Sequence, residues 1–158
     1  MQYKLNLGCG KDRWGTHRLD WKDYGQTDVK IFDLNSGKRL PYPNETFSEI
    51  RLYGVLPSLL YPQKVLEECN RVLKKGGVLD MSFADSDSLY FKIFPIHDAP
   101  VKFTKHLYNN GHTYSMHNTT MIKNRLEKAG FKAIAVSKCN RHLVVFNIYV
   151  HIISKKVD

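Results

Sequence analysis

Leu5-Asn6-Leu7-Gly8-Cys9-Gly10 is an apolar stretch that breaks straight into a glycine turn, and carboxylates follow it at Asp20 and Asp33. Those residue types in that order suit the binding of a nucleoside. Glycines let backbone amides approach a ligand closely, and a carboxylate beyond the next strand can accept hydrogen bonds from ribose hydroxyls. A dinucleotide fits less well. Its fingerprint asks for a third glycine beneath the pyrophosphate, and the run Gly8-Cys9-Gly10-Lys11-Asp12-Arg13 places Arg13 there. The seven residues between Gly10 and Arg18 are too few for a helix with two connecting turns, so a pyrophosphate seated on a helix N-terminus is poorly supported.

A second group of reactive side chains lies further on. Tyr108, His112, Tyr114 and His117 fall in an irregular stretch after the fifth predicted strand, and histidine suits proton transfer near neutral pH. Ordinary loop residues or packing aromatics are the alternative for all four. Asp85 stands at the carboxyl end of that fifth strand, where open α/β sheets place ligands. Residues 99–141 carry Lys102, Lys105, Lys123, Arg125, Lys128, Lys132, Lys138 and Arg141 against the one acid Glu127, a local +7 within a chain of net charge +9. Such a surface suits a nucleic acid or another acidic partner, or is a solubilising face. Cys9, Cys69 and Cys139 are odd in number, widely spaced and without a C-x-x-C pair, which argues against a disulfide framework and against a metal site. With no signal-peptide pattern and no apolar run long enough to span a bilayer, a cytoplasmic location without a membrane span is expected.

These residues need a scaffold. At 158 residues the chain suits one domain, 1–158, with a core of its own. Strands are predicted at Tyr3–Leu7, Arg18–Asp20, Asp28–Phe32, Glu49–Val55, Val78–Phe83, Phe131–Ser137 and Leu143–Ile153, with a proline- and glycine-bearing loop between the third and fourth. Pro62 opens a helix whose Val65, Leu66, Cys69, Val72 and Leu73 form one apolar face, and Lys74-Lys75-Gly76-Gly77 is expected to end it. Short helical possibilities lie around Leu89–Phe94. Asn118 or Thr119 caps another helix that buries Ile122, Leu126 and Ala129 and stops at Gly130. Alternating strands and helices predict an α/β fold with a mostly parallel sheet, and the last two strands, joined by a short link, form an antiparallel pair.

The motifs occur in a recognisable order. Leu5–Gly10, Leu19-Asp20 and Phe32-Asp33-Leu34 come first. Leu40-Pro41-Tyr42 with Thr46-Phe47-Ser48-Glu49-Ile50 follows, then Asn70-Arg71-Val72-Leu73-Lys74-Lys75-Gly76-Gly77 and Leu126-Glu127-Lys128-Ala129-Gly130-Phe131. Together they resemble the class I S-adenosylmethionine-dependent methyltransferases, in particular a short branch whose first motif reads L-N-L-G-C-G. The resemblance implies a Rossmann-like fold with a seven-stranded, mostly parallel sheet and an antiparallel last strand. It implies S-adenosyl-L-methionine as cofactor. Leu7, Gly8, Cys9 and Gly10 would wrap its methionine part, Asp20 with Trp21 beside it would bind the ribose, and Asp33 and Leu34 would flank the adenine. Tyr53 and Gly54 would line the floor near the sulfonium. A strand-end cap is the alternative for Asp20, and an Asx turn before Asn35 for Asp33.

The chain departs from the branch in two places. Val55-Leu56-Pro57-Ser58-Leu59 replaces an E-H-L-like stretch, and Asp80 stands where a basic residue is common; Asp80 is read as structural. His112-x-Tyr114 resembles an H-x-W/Y element of the same branch, which makes His112, Tyr114 and His117 the candidates for acceptor handling. The expected acceptor is a small molecule. Nucleic-acid methylation through the basic segment is the alternative, against which stands the lack of a [D/N]-P-P-[Y/F/W] motif and of a Pro-Cys nucleophile. Non-catalytic cofactor binding is the other. The resemblance begins at the first strand, without the helix that covers the cofactor in larger members, so an open pocket, or one closed by a second copy in a homodimer, is expected.

Overall fold

A computed structural model describes residues 2–88, 117–139 and 149–157. Seven strands form one sheet: β1 (Lys4–Leu7), β2 (His17–Asp20), β3 (Val29–Ile31), β4 (Phe47–Tyr53), β5 (Leu73–Ala84), β6 (Phe131–Cys139) and β7 (Tyr149–Lys156). Their order is β3-β2-β1-β4-β5-β7-β6. The first five run parallel, and β7 lies antiparallel between β5 and β6. This is the mostly parallel sheet with an antiparallel last strand that the motifs imply. Because β7 runs backwards, its first residues stand at the edge where the parallel strands end.

Helix α1 (Pro62–Val72) begins on a proline, whose missing N–H is no loss in a first turn. It buries Val65, Leu66, Cys69 and Val72. It stops one residue before the expected lysine–glycine turn: Leu73 is already extended, its N–H bonded back to Cys69. Lys74-Lys75-Gly76-Gly77 belongs instead to β5, where the ladder slips between the Phe47–Leu73 and Glu49–Val78 pairs. Pairing with Phe47 draws Leu73 into the sheet ahead of any glycine cap. Helix α2 (Thr119–Lys128) is capped by Asn118, whose side chain accepts the Met121 N–H at 2.8 Å. It buries Ile122 and Leu126 and is followed by Gly130 with φ +80°. The expected helical turns around Leu89–Phe94 and the strand segment 143–148 lie outside the described residues. No helix among the described residues is long and apolar enough to cross a membrane.

The two faces of the sheet differ. Leu5, Leu7, Leu19, Ile50, Leu52, Leu79, Met81 and Ile152 belong to one buried cluster with the apolar faces of α1 and α2. A parallel sheet covered on both faces has strands that are apolar almost throughout. Here they alternate, and Lys4, Asn6, Arg18, Arg51, Tyr53, Asp80, Ser82 and His151 occupy the second face. Those polar groups are paired locally. Lys4 meets Glu49 at 2.7 Å, Arg18 pairs with Asp28, and Arg51 lies 3.6 Å from Asp12.

Candidate functional site

The glycine turn leaves β1 at the carboxyl edge of the sheet and is fastened on three sides. The Gly8 and Cys9 N–H groups both donate to the Leu19 carbonyl, at 2.8 and 3.2 Å. The Gly10 N–H donates to Asp20 Oδ2 at 2.8 Å, and the Gly10 carbonyl accepts from Gln26 Nε2 at 2.9 Å. Gln26 is itself held by Arg18 at 2.8 Å. Gly8 has φ +63°, and a Cβ there would sit 2.3 Å from Val55 Cγ2. Only glycine satisfies both conditions, so the packing of β4's exit loop against β1 depends on it.

Asp20 is buried and joins the turn to β2, with Oδ1 3.4 Å from the Lys22 N–H. A carboxylate offers about four lone-pair positions, so these two contacts leave room for ribose hydroxyls. Trp21 beside it is 58 % exposed. Leu7 lies in the core, and Cys9 is buried with its thiol raised to about 11, first by burial and then by the Asp20 charge. Cys9 is therefore a neutral lining group rather than a nucleophile.

Around β3 the Asx alternative is realised: Asp33 Oδ1 accepts the Asn35 N–H at 2.8 Å. The Asp33 side chain stays exposed, and Leu34 packs half-buried against the core. Asn35 then staples this loop to the segment after β4, donating to the Ser58 carbonyl at 2.9 Å and accepting from Leu60 N–H at 2.7 Å. A cavity of about 270 Å³ adjoins Leu34 between this loop and α1, lined in part by Phe32, Leu40, Tyr61 and Val65. At the end of β4, Gly54 N–H donates to the Ser82 carbonyl at 2.8 Å, and the Tyr53 hydroxyl donates to Asp80 at 2.7 Å.

His117 is brought to the carboxyl end of β5, where it bridges to Asp85. It is 1 % exposed and hydrogen-bonded to the Leu56 backbone. Burial, aided by the Arg125 charge, holds its pKa below the usual histidine value, so it is neutral at pH 7. Asp85 is equally buried, accepting the Asp87 N–H at 3.1 Å and facing Lys138 Nζ at 3.4 Å. Tyr108, His112 and Tyr114 lie outside the described residues. Gln26, Asn35 and Val55 were not among the sequence candidates, because nothing local in the chain marks a residue that acts across such separations. Among the described residues, a Cβ at Gly10 or at Gly54 would meet nothing within 4 Å. The backbone at the ends of β1 and β4 is thus open to a ligand, with a carboxylate beside it, and these residues fit a nucleoside cofactor.

The comparisons with known proteins agree. A family model described as a methyltransferase domain matches residues 16–81. Demethylmenaquinone methyltransferase of Lactobacillus johnsonii is 31% identical over 140 residues, covering 77% of this chain and 55% of that protein. An uncharacterised protein of Methanocaldococcus jannaschii is 35% identical over 77 residues, 49% of this chain and 37% of that protein. The chain therefore spans about a third to a half of the length of these curated relatives. Among solved structures, an S-adenosylmethionine-dependent methyltransferase of Mesorhizobium loti superposes with TM-score 0.71 at 14% identity, over 98% of this chain and 90% of that one. A possible histamine N-methyltransferase of Thermotoga maritima gives 0.70 at 17%, over 99% and 83%. The [4+2]-cyclase SpnF gives 0.68 at 14%, over 99% and 75%. The fold is that of the class I methyltransferases, and residues 16–81 match the methyltransferase domain family.

Proposed function

We propose that this chain is an S-adenosyl-L-methionine-dependent methyltransferase domain acting on a small-molecule acceptor. The observation that carries the reading is the glycine turn, pinned between the Leu19 carbonyl, the Asp20 carboxylate and Val55 while the Gly10 backbone stays open. Leu7, Gly8, Cys9 and Gly10 would hold the methionine part of the cofactor, and Asp20 its ribose. Leu34, with the loop that Asp33 and Asn35 shape, would flank the adenine, and Gly54 would border the sulfonium. When bound, the cofactor supplies a methyl group already activated by positive sulfur. The protein's share is then to align an acceptor in line with that methyl and to keep water out. Rigidity serves this, and every backbone hydrogen bond of the turn contributes to it.

A small acceptor is supported by the name of the Lactobacillus johnsonii relative, a demethylmenaquinone methyltransferase. The test is turnover: purified protein, methyl-labelled cofactor, and a panel of phenols, quinols and amines beside a structured RNA. Label transferred to a small molecule and not to RNA is the expected result. Label found on RNA alone would overturn the acceptor assignment, and label found nowhere would overturn the activity.

A further inference from the structure

The polar face of the sheet carries a constellation that the cofactor site does not use. Asp80, in the middle of β5, is buried to 8 % exposure, and both of its oxygens are taken. The Tyr53 hydroxyl donates to Oδ2 at 2.7 Å, and His151 Nε2 lies against Oδ1. Tyr53 Oη and His151 Nε2 are 3.4 Å apart, and their rings meet edge-on at 5.7 Å. From β4, Arg51 Nε stands 3.9 Å from Asp80, and its guanidinium lies over the rings of Trp14 at 4.0 Å and Tyr53 at 4.7 Å. From the glycine turn, Asp12 faces Arg51. From β6, the cross-strand partner of His151 is the uncharged Ser137.

This geometry fixes the histidine tautomer. A carboxylate only accepts hydrogen bonds, and the single tyrosine proton is spent on Oδ2. The contact between Oδ1 and Nε2 therefore needs a proton on Nε2, which leaves the lone pair of the neutral ring on Nδ1. A carboxylate that holds one ring nitrogen so that the other can act as base is the logic of hydrolase triads. Its place in the sheet is also right. His151 is the third residue of a strand that runs antiparallel, so it stands beside the carboxyl ends of β4 and β5, level with Ser82, whose carbonyl holds Gly54.

We propose that His151 is the base of the methyl-transfer reaction, that Asp80 and Tyr53 are its positioning residues, and that the acceptor bears an O–H or N–H. This rests on the methyltransferase reading above. As the acceptor's oxygen or nitrogen bonds to the methyl carbon, the methyl–sulfur bond breaks with its electron pair going to sulfur. The acceptor's proton passes to Nδ1 of His151. A thioether acceptor, which has no proton to lose, would have no such use for the pair.

The test combines long-range ¹H–¹⁵N spectra of the free protein with kinetics of His151→Gln, Asp80→Asn and Tyr53→Phe on whichever acceptor the panel yields. The neutral His151 ring is expected to show a pyrrole-type Nε2 and a pyridine-type Nδ1, with tautomers mixed in Asp80→Asn. His151→Gln should lower kcat about 100-fold or more. It should leave KM and the calorimetric affinity for S-adenosylhomocysteine within about twofold, and abolish the rise of kcat with pH. A pyridine-type Nε2, or native kcat and pH profile in His151→Gln, would overturn the assignment. Should Asp80→Asn fail to fold, the other two variants and the native spectrum still decide. Failure of native protein to bind S-adenosylhomocysteine would instead strike the underlying reading and leave the tautomer result standing.

Discussion

Gly8 is the residue on which two strands depend. Its positive φ costs any other L-residue about 1–2 kcal/mol, and an added methyl would strike Val55 as well. Gly8→Ala is expected to lower the melting temperature and to abolish cofactor binding, because the β4 exit must move away from the turn. Differential scanning fluorimetry and calorimetry on the same sample measure both. Asp20→Ala tests the other fastening. It removes the acceptor for the Gly10 N–H together with the proposed ribose contact, and each hydrogen bond to a charged group contributes about 1.5–3 kcal/mol. The expected outcome is an affinity for S-adenosylhomocysteine at least about tenfold weaker, with a smaller loss of stability. Both residues were legible from residue type and order along the chain. For Asp33 the sequence leaves two roles open, since the same carboxylate serves adenine recognition or an Asx turn, and the Asn35 N–H claims one of its oxygens here. In the sequence Asp80 reads simply as structural. Its partners are Tyr53, on the neighbouring strand, and His151, 71 positions away, and register alone brings them together.

At the level of elements, the helices were legible because their apolar spacing and caps are local properties. Where α1 ends was not. The lysine–glycine run looks like a helix stop, yet pairing with Phe47 claims Leu73 first. Asn118 is the cap of α2, and Asn118→Ala should cost about 1 kcal/mol in urea-unfolding free energy. His117, just before that cap, ties the chain to Leu56 in a buried setting. Its folded-state pKa is lowered, so the folded protein resists protonation that the unfolded chain accepts. Stability is then complete above the unfolded value of 6.5 and is lost as pH falls from there through the lower folded value. His117→Gln should flatten that part of the pH–stability curve, as urea midpoints measured from pH 7.5 to 5 would show.

For the whole molecule, the sheet decides what can be near what. Strands far apart in the chain, such as β1 with β4 and β5 with β7, are hydrogen-bonded neighbours, and one buried cluster runs beneath them and helices α1 and α2. Unfolding should therefore be a single transition, with far-ultraviolet circular dichroism and tryptophan fluorescence giving coincident midpoints; separated midpoints would contradict a single cooperative unit. The overall class was legible because strand–helix alternation is strong evidence for a parallel sheet. The polar second face was implicit in the alternation of Leu5-Asn6-Leu7 and Ile50-Arg51-Leu52, but its chemistry appears only when the strands are side by side. The central claim is that the carboxyl edge of β1, β2 and β4 is a preformed pocket for S-adenosylmethionine. Isothermal titration of the native protein with S-adenosylmethionine and S-adenosylhomocysteine tests it most directly. One site per chain for each ligand, weakened in Asp20→Ala, is the predicted result; absence of heat for both at millimolar concentration would contradict it.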